Sequence, residues 1–144
     1  MHRSKNASSA EVLGRIPLFS SCTDKQLAKV AHLFDEVTVP SGEVLVHQGA
    51  VEFDFYVIIS GSTDVTIDGL RVASLRSGDY FGELAPLDKH PRSATVTATS
   101  ETHLLVLTPR GFATAVKSVP GLASKLLAGL SLRVREANEH VVVA

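Results

Sequence analysis

Residues 78–98, GDYFGELAPLDKHPRSATVTA, hold the side chains best suited to chemistry in this chain. Gly82 lets a backbone come close to a ligand, because no Cβ stands in the way. Glu83 to Leu87 can form one helical turn, and Pro86 is tolerated there because early turns need no N–H. A helix start directs free N–H groups at an anion. Arg92 follows, with a planar fork that meets a phosphate through two hydrogen bonds. Ser93 adds a hydroxyl donor, and Ala94 leaves its backbone N–H accessible. These are the parts of an anion cradle. The plainer alternative is a surface loop in which Glu83 simply pairs with Arg92, and the residues alone leave both open.

The rest of the chain narrows the chemistry. The 144 residues carry 14 Lys plus Arg against 15 Asp plus Glu, a formal charge of −1. A near-neutral chain exerts no broad pull on nucleic acid or on an anionic membrane, so neither is expected as a partner. An anion must be held by a local site. The six histidines, at 2, 32, 47, 90, 103 and 140, form no His-x-His set with a following Glu, so no metal centre is expected. Cys22 is alone and has no neighbouring His in sequence. It reads as a small buried hydrophobe in a reducing cytoplasm, and no catalytic residue is expected. The longest apolar patch, Phe55 to Ile59, is strand-sized rather than membrane-spanning. The polar first ten residues lack the apolar core of a signal peptide.

The elements that must position the cradle follow from periodicity. Residues 1–8 read as a flexible tail with no apolar face to bury, and 9–144 as one domain. Thr23 and Asp24 start a helix with Leu27, Val30, Ala31 and Phe34 at helical spacing. From Glu36 the pattern becomes short strands. Pro40-Ser41-Gly42 breaks the first two, and FDFYVIISG forms another. Asp68-Gly69 turns a hairpin between Val65-Thr66-Ile67 and Leu70-Arg71-Val72. SATVTATSETHLLVLT supplies two more strands. After Pro109 the helical period returns. Pro120-Gly121 separates a first helix from a longer one over Leu122 to Ala137. Its stripe of Leu122, Leu126, Leu127, Leu130 and Val134 suits a core or a dimer seam. The expected class is α+β: a small barrel or jelly roll of seven or eight short strands, with N-terminal helices and two C-terminal helices.

FGELAPLDKHPRSATV resembles the phosphate-binding cassette of the cyclic nucleotide-binding domain family. That family includes kinase regulatory subunits, catabolite-activator-type regulators and cyclic-nucleotide-gated channels. Phe81, Gly82, Glu83, Leu84 and Ala85 match its F-G-E-[LIM]-A pattern, and Pro91 to Val96 match P-R-[ASTR]-A-[ST]-V. VPSGEVLVHQG, FYVIISGSTDV and SGDYFGE resemble further parts of the family, so the likeness covers roughly residues 12–138. It implies an eight-stranded antiparallel β-roll that binds cAMP or cGMP.

The resemblance also implies roles. Arg92 would pair with the cyclic phosphate. Glu83 would accept from the ribose 2′-hydroxyl. Backbone N–H groups at Gly82, Leu84 and Ala94 would complete the cage, with Ala85 beside them and Ser93 donating its hydroxyl. Sugar and base would lie on Val72 and Phe81, although Phe81 equally suits a plain core aromatic. Arg133 stands where some bacterial channel domains carry a base-contacting Arg, and an Arg over a base face makes a cation–π lid. Leu130 and Val134 are apolar alternatives. Pro86 and Glu52 depart from the family pattern. Glu52 falls where Gly is common and puts the shape of the loop before Phe55 in question.

Ser93 fits both cAMP and cGMP binders, and cAMP is the expected ligand. The expected function is a non-enzymatic cytoplasmic sensor without direct membrane contact. Ligand would move the C-terminal helix, regulating an output protein, a homodimer partner or a fused module. Alternatives are a regulatory domain cut from a channel, transporter or enzyme, and a non-binding relative used for protein contacts. A DNA-reading module is not expected, since family regulators append it after the long helix.

Overall fold

The computed structural model describes residues 2–5, 10–16, 19, 22–82, 91–119 and 121–124. Among the described residues nine strands run in chain order: β1 (His2–Lys5), β2 (Asp35–Val39), β3 (Val44–Val46), β4 (Phe55–Ser60), β5 (Ser62–Ile67), β6 (Leu70–Arg76), β7 (Tyr80–Gly82), β8 (Thr95–Ala98) and β9 (Thr102–Leu107). Helices α1 (Ala10–Gly14), α2 (Asp24–Ala31) and α3 (Pro109–Ser118) accompany them among the described residues. Two antiparallel sheets result, ordered β1-β2-β9-β4-β7 and β3-β8-β5-β6.

The pairing is nested around one turn. Asp68 and Gly69 both take positive φ, 52° and 82°, which matches the twist of a tight hairpin. From that tip β5 pairs β6, β4 pairs β7, β3 pairs β8 and β2 pairs β9. Further pairs, β4 with β9 and β5 with β8, close the folded ribbon into a roll. The eight strands β2–β9 are the expected antiparallel β-roll. The nesting also sets where loops meet. Residues 47–54 of the β3–β4 link therefore face residues 91–94, which lead to β8.

β4 and β9 are apolar on both faces because each serves two cores. Tyr56, Ile58, Leu104 and Val106 point into the roll with Val37, Val39, Val65 and Val96. Phe55, Val57, Leu105 and Leu107 point outward and are covered by Leu13, Leu27, Val30, Phe34, Phe112 and Ala115 from the helical ends. Alternation would have left one face wet; the continuous run FYVI buries both. Cys22 is half-buried against the helix-side core.

Helix starts obey their caps. Thr23 Oγ1 accepts from Gln26 N (3.2 Å), and Gln26 Oε1 accepts from Thr23 N (2.8 Å), a reciprocal capping box on α2. Thr108 Oγ1 accepts from Gly111 N (3.1 Å) at the start of α3, where Pro109 occupies a position that needs no donor. Residues 122–124 are again helical after Gly121, and Leu122 is buried in the helix-side core. The remainder of the long helix expected to Ala137 lies outside the described residues.

One expectation is corrected. Residues 2–5, placed in a flexible tail, form β1 and pair antiparallel with β2, His2 opposite Thr38 and Lys5 opposite Asp35. An edge strand needs only backbone donors and acceptors, so its polar sequence gives no apolar signal.

Candidate functional site

Arg92 sits where the nest brings residues 47–54 and 91–94 together. Its backbone is held on both sides: Arg92 N donates to Ala50 O (2.8 Å), and Gly49 N donates to Arg92 O (2.8 Å). Gln48 N donates to Thr95 Oγ1 (2.9 Å), which carries the stitching onward into β8. Gln48 also grips the hairpin tip, its Oε1 accepting from Asp68 N (2.8 Å) and its Nε2 donating to Asp68 Oδ1 (2.9 Å). The loop before β4 is thereby fastened to the strand after Arg92 and to the β5–β6 turn.

The Arg92 side chain is enclosed, with 8% of its surface exposed. Nη2 donates to Asp54 O (2.8 Å). Nε lies 3.7 Å from Glu52 Oε1. Both of these atoms are buried, and neither makes a hydrogen bond. Burying a guanidinium is costly unless its charge is matched and its donors are used. An enclosed cation of this kind, whose Nε makes no hydrogen bond, has the chemistry to receive an anion.

Gly82 is the close-approach residue. It ends β7 opposite Phe55, with φ of 114°. A Cβ there would stand 2.4 Å from Asp54 O and 3.3 Å from Arg92 Nη1. The carbonyl that orients Arg92 thus packs against a residue with no side chain. Any larger residue would push apart the wall that fixes the guanidinium.

The other residues singled out by sequence divide clearly. Gly82, Arg92, Ser93 and Ala94 lie together at this junction. The Ala94 methyl is buried on the roll side, and Ser93 is exposed. Phe81 is 1% exposed and stacks on Tyr56, with ring centroids 4.7 Å apart and planes at 7°. Its ring packs in the roll-side core, one of the two readings its sequence left open. Alternation along β7 turns Phe81 inward and leaves its neighbour Gly82 at the wall. Val72 is half-buried on β6 against the roll-side core. Glu83, Leu84, Ala85 and Arg133 lie outside the described residues. Glu52 and Asp54 were not singled out as functional from sequence. Glu52 did stand out as a departure from pattern, and that was the available signal.

Among the described residues, no group of three or more His, Cys, Asp and Glu could hold a metal ion. No described helix is long and apolar enough to cross a membrane.

Comparison with known proteins agrees with this geometry. The family described as cyclic nucleotide-binding domain matches residues 36–118, more than half of the chain. A cAMP-dependent protein kinase regulatory subunit from Emericella nidulans is 38% identical over 102 residues, covering 69% of this chain and 25% of that protein. The solved catabolite activator protein of Thermus thermophilus superposes with a TM-score of 0.77 at 28% identity, over 87% of this chain and 61% of that one. The regulatory domain of Toxoplasma gondii PKA, solved with cAMP, shares the fold with a TM-score of 0.77 at 23% identity, over 88% of this chain and 50% of that one. The chain belongs to the cyclic nucleotide-binding domain family and has its β-roll fold. It spans about a quarter of the length of the kinase regulatory subunit it matches.

The wall at Gly82 is testable against a second glycine. Gly78 also has positive φ (91°), but a Cβ there meets nothing within 4 Å. Gly78→Ala is expected to cost about 1–2 kcal/mol from backbone strain alone. Gly82→Ala is expected to cost clearly more in urea unfolding, because it adds a collision with Asp54 O. Equal losses in the two variants would contradict the close-approach role.

Proposed function

We propose that this chain is a cyclic nucleotide sensor, taking cAMP in preference to cGMP, whose phosphate is received by Arg92. The observation that carries the reading is the enclosed Arg92 guanidinium beside Gly82, with Nε buried and without a hydrogen bond. The ligand brings one negative charge to one buried positive charge, and this match needs no broad basic surface. Ser93 and the backbone N–H groups of Gly82, Leu84 and Ala94 would share the phosphate oxygens. Glu83 would accept from the 2′-hydroxyl, and Ala85 would pack beside it. Val72 would border the sugar and base, and Arg133 would cover the base. The relatives support cAMP, since one is described as a cAMP-dependent kinase subunit and one was solved with cAMP.

The work of such a domain is transmission rather than catalysis. Closure of the cassette on the phosphate would draw the segment after α3 over the ligand, with a hinge near Pro109 to Phe112. Ligand favours the closed state only by its higher affinity for it. The output is a separate protein, a second subunit or a fused module in a cytoplasmic setting. The kinase regulatory relatives favour a kinase catalytic chain among these.

Titration calorimetry of protein stripped of ligand under denaturing conditions and refolded tests the reading. Saturable binding of cAMP, tighter than cGMP, is expected. Arg92→Ala is expected to weaken it by about 2–5 kcal/mol, since a desolvated phosphate loses its partner. No binding by folded protein, or equal affinity in the variant, would overturn the site. Transmission has its own readout. Amide exchange over 122–137 is expected to slow on saturation with cAMP, and unchanged exchange there would refute helix closure.

A further inference from the structure

The loop that holds Arg92 also carries a charge that opposes the ligand. A guanidinium offers two edges. Nε–H and one Nη2–H leave along one, and the Nη1–H groups with the other Nη2–H leave along the second. Residues 52–54 occupy the first edge, with Glu52 Oε1 3.7 Å from Nε and Asp54 O 2.8 Å from Nη2. The second edge lies toward Gly82, whose missing Cβ leaves Nη1 room.

We propose that Glu52 is the site's internal counter-ion: its carboxylate partly neutralises Arg92 in the empty protein, and the incoming cyclic phosphate competes with it. This rests on the reading of the site as a cyclic nucleotide receptor. Two anions on one buried cation leave a net buried negative charge, which is strongly disfavoured. The pair is incomplete, since neither Nε nor Oε1 makes a hydrogen bond. It is therefore weaker than a bidentate phosphate contact. Glu52 also has a way out. Its side chain is 39% exposed, and neighbouring Val51 is 66% exposed. The loop is anchored at Ala50 by Arg92 N and at Asp54 by Nη2, so Glu52 can turn to water with both anchors intact. Arg92 orientation does not rest on Glu52, because the Asp54 carbonyl and the Gly82 wall remain. Charge, rather than shape, is what Glu52 supplies.

The test is cAMP titration of wild-type protein, Glu52→Gln, Glu52→Asp and Glu101→Gln. Glu101 is exposed, so its variant makes the same change in net charge away from the site. Glu52→Gln is expected to bind cAMP about tenfold or more tightly than wild type, because a like charge beside the phosphate is removed. The gain should persist in high salt, since the pair is sheltered from ions. Glu101→Gln should match wild type. Glu52→Asp, with its carboxylate drawn back, should fall between. Empty Glu52→Gln should melt lower than empty wild type and gain more on adding cAMP, the ligand then being the counter-ion. Affinity unchanged or weakened in Glu52→Gln would overturn the proposal. Should that variant not fold when empty, wild-type affinity in Glu52→Asp would do the same. A wild-type protein that binds no cAMP would instead overturn the functional reading, and this inference with it.

Discussion

A buried guanidinium must be matched by negative charge and by oxygen acceptors, and this requirement organises the molecule around Arg92. With 8% of its side chain exposed, Arg92 is shielded from the water that would otherwise solvate it. Among the described residues, Asp54 supplies a carbonyl and Glu52 a carboxylate at ion-pair but not hydrogen-bond distance. Nη1 lies on the side of Gly82, 3.3 Å from where a Cβ would stand. A residue of any size at that position would collide with the carbonyl that orients the cation. Among the described residues this cation keeps an unused donor, Nε, and on the proposed reading a ligand phosphate is what completes its charge match.

Position follows from the fold rather than from the local segment. Nested pairing about the Asp68-Gly69 tip places residues 47–54 level with residues 91–94. Backbone bonds between 49–50 and 92 then lock the two segments together. The two-faced strands β4 and β9 join this junction to the helical ends. Their inner residues fill the roll, while Phe55, Val57, Leu105 and Leu107 carry the helices. Phe55 lies opposite Gly82 in the register and meets Phe112 of α3 at a centroid distance of 6.0 Å. The wall of the site and the first C-terminal helix therefore share one aromatic side chain. A shift of the cassette wall has a direct physical route to α3.

Much of this was legible in the chain. The hairpin at Asp68-Gly69, the capped start at Thr23, the return of the helical period after Pro109 and the strand run from Glu36 follow from local stereochemistry, which a sequence displays. Gly82 and Arg92 were legible for a related reason: a close-approach glycine and a fork-shaped cation are chemical statements in themselves. What escaped was decided at long range. β1 forms from HRSK because an edge offers backbone partners, and side chains do not advertise that. Phe81, which suited core and ligand bed alike, stacks on Tyr56 across the strand pair, a partner the local segment does not display. Glu52 reaches Arg92 only because residues 40 apart are stitched together by the nest, so its departure from pattern was visible while its partner was not.

The central claim is that Arg92 Nε–H, buried and without a hydrogen bond, is where an added cyclic phosphate is felt. Proton–nitrogen correlation spectra of the arginine Nε–H groups observe it directly. The Arg92 signal is assigned by its absence in Arg92→Lys. On titration with cAMP, that signal is expected to move strongly and saturate with the ligand, as Glu52 yields the cation to phosphate. An Arg92 signal unmoved at saturating cAMP would contradict the account.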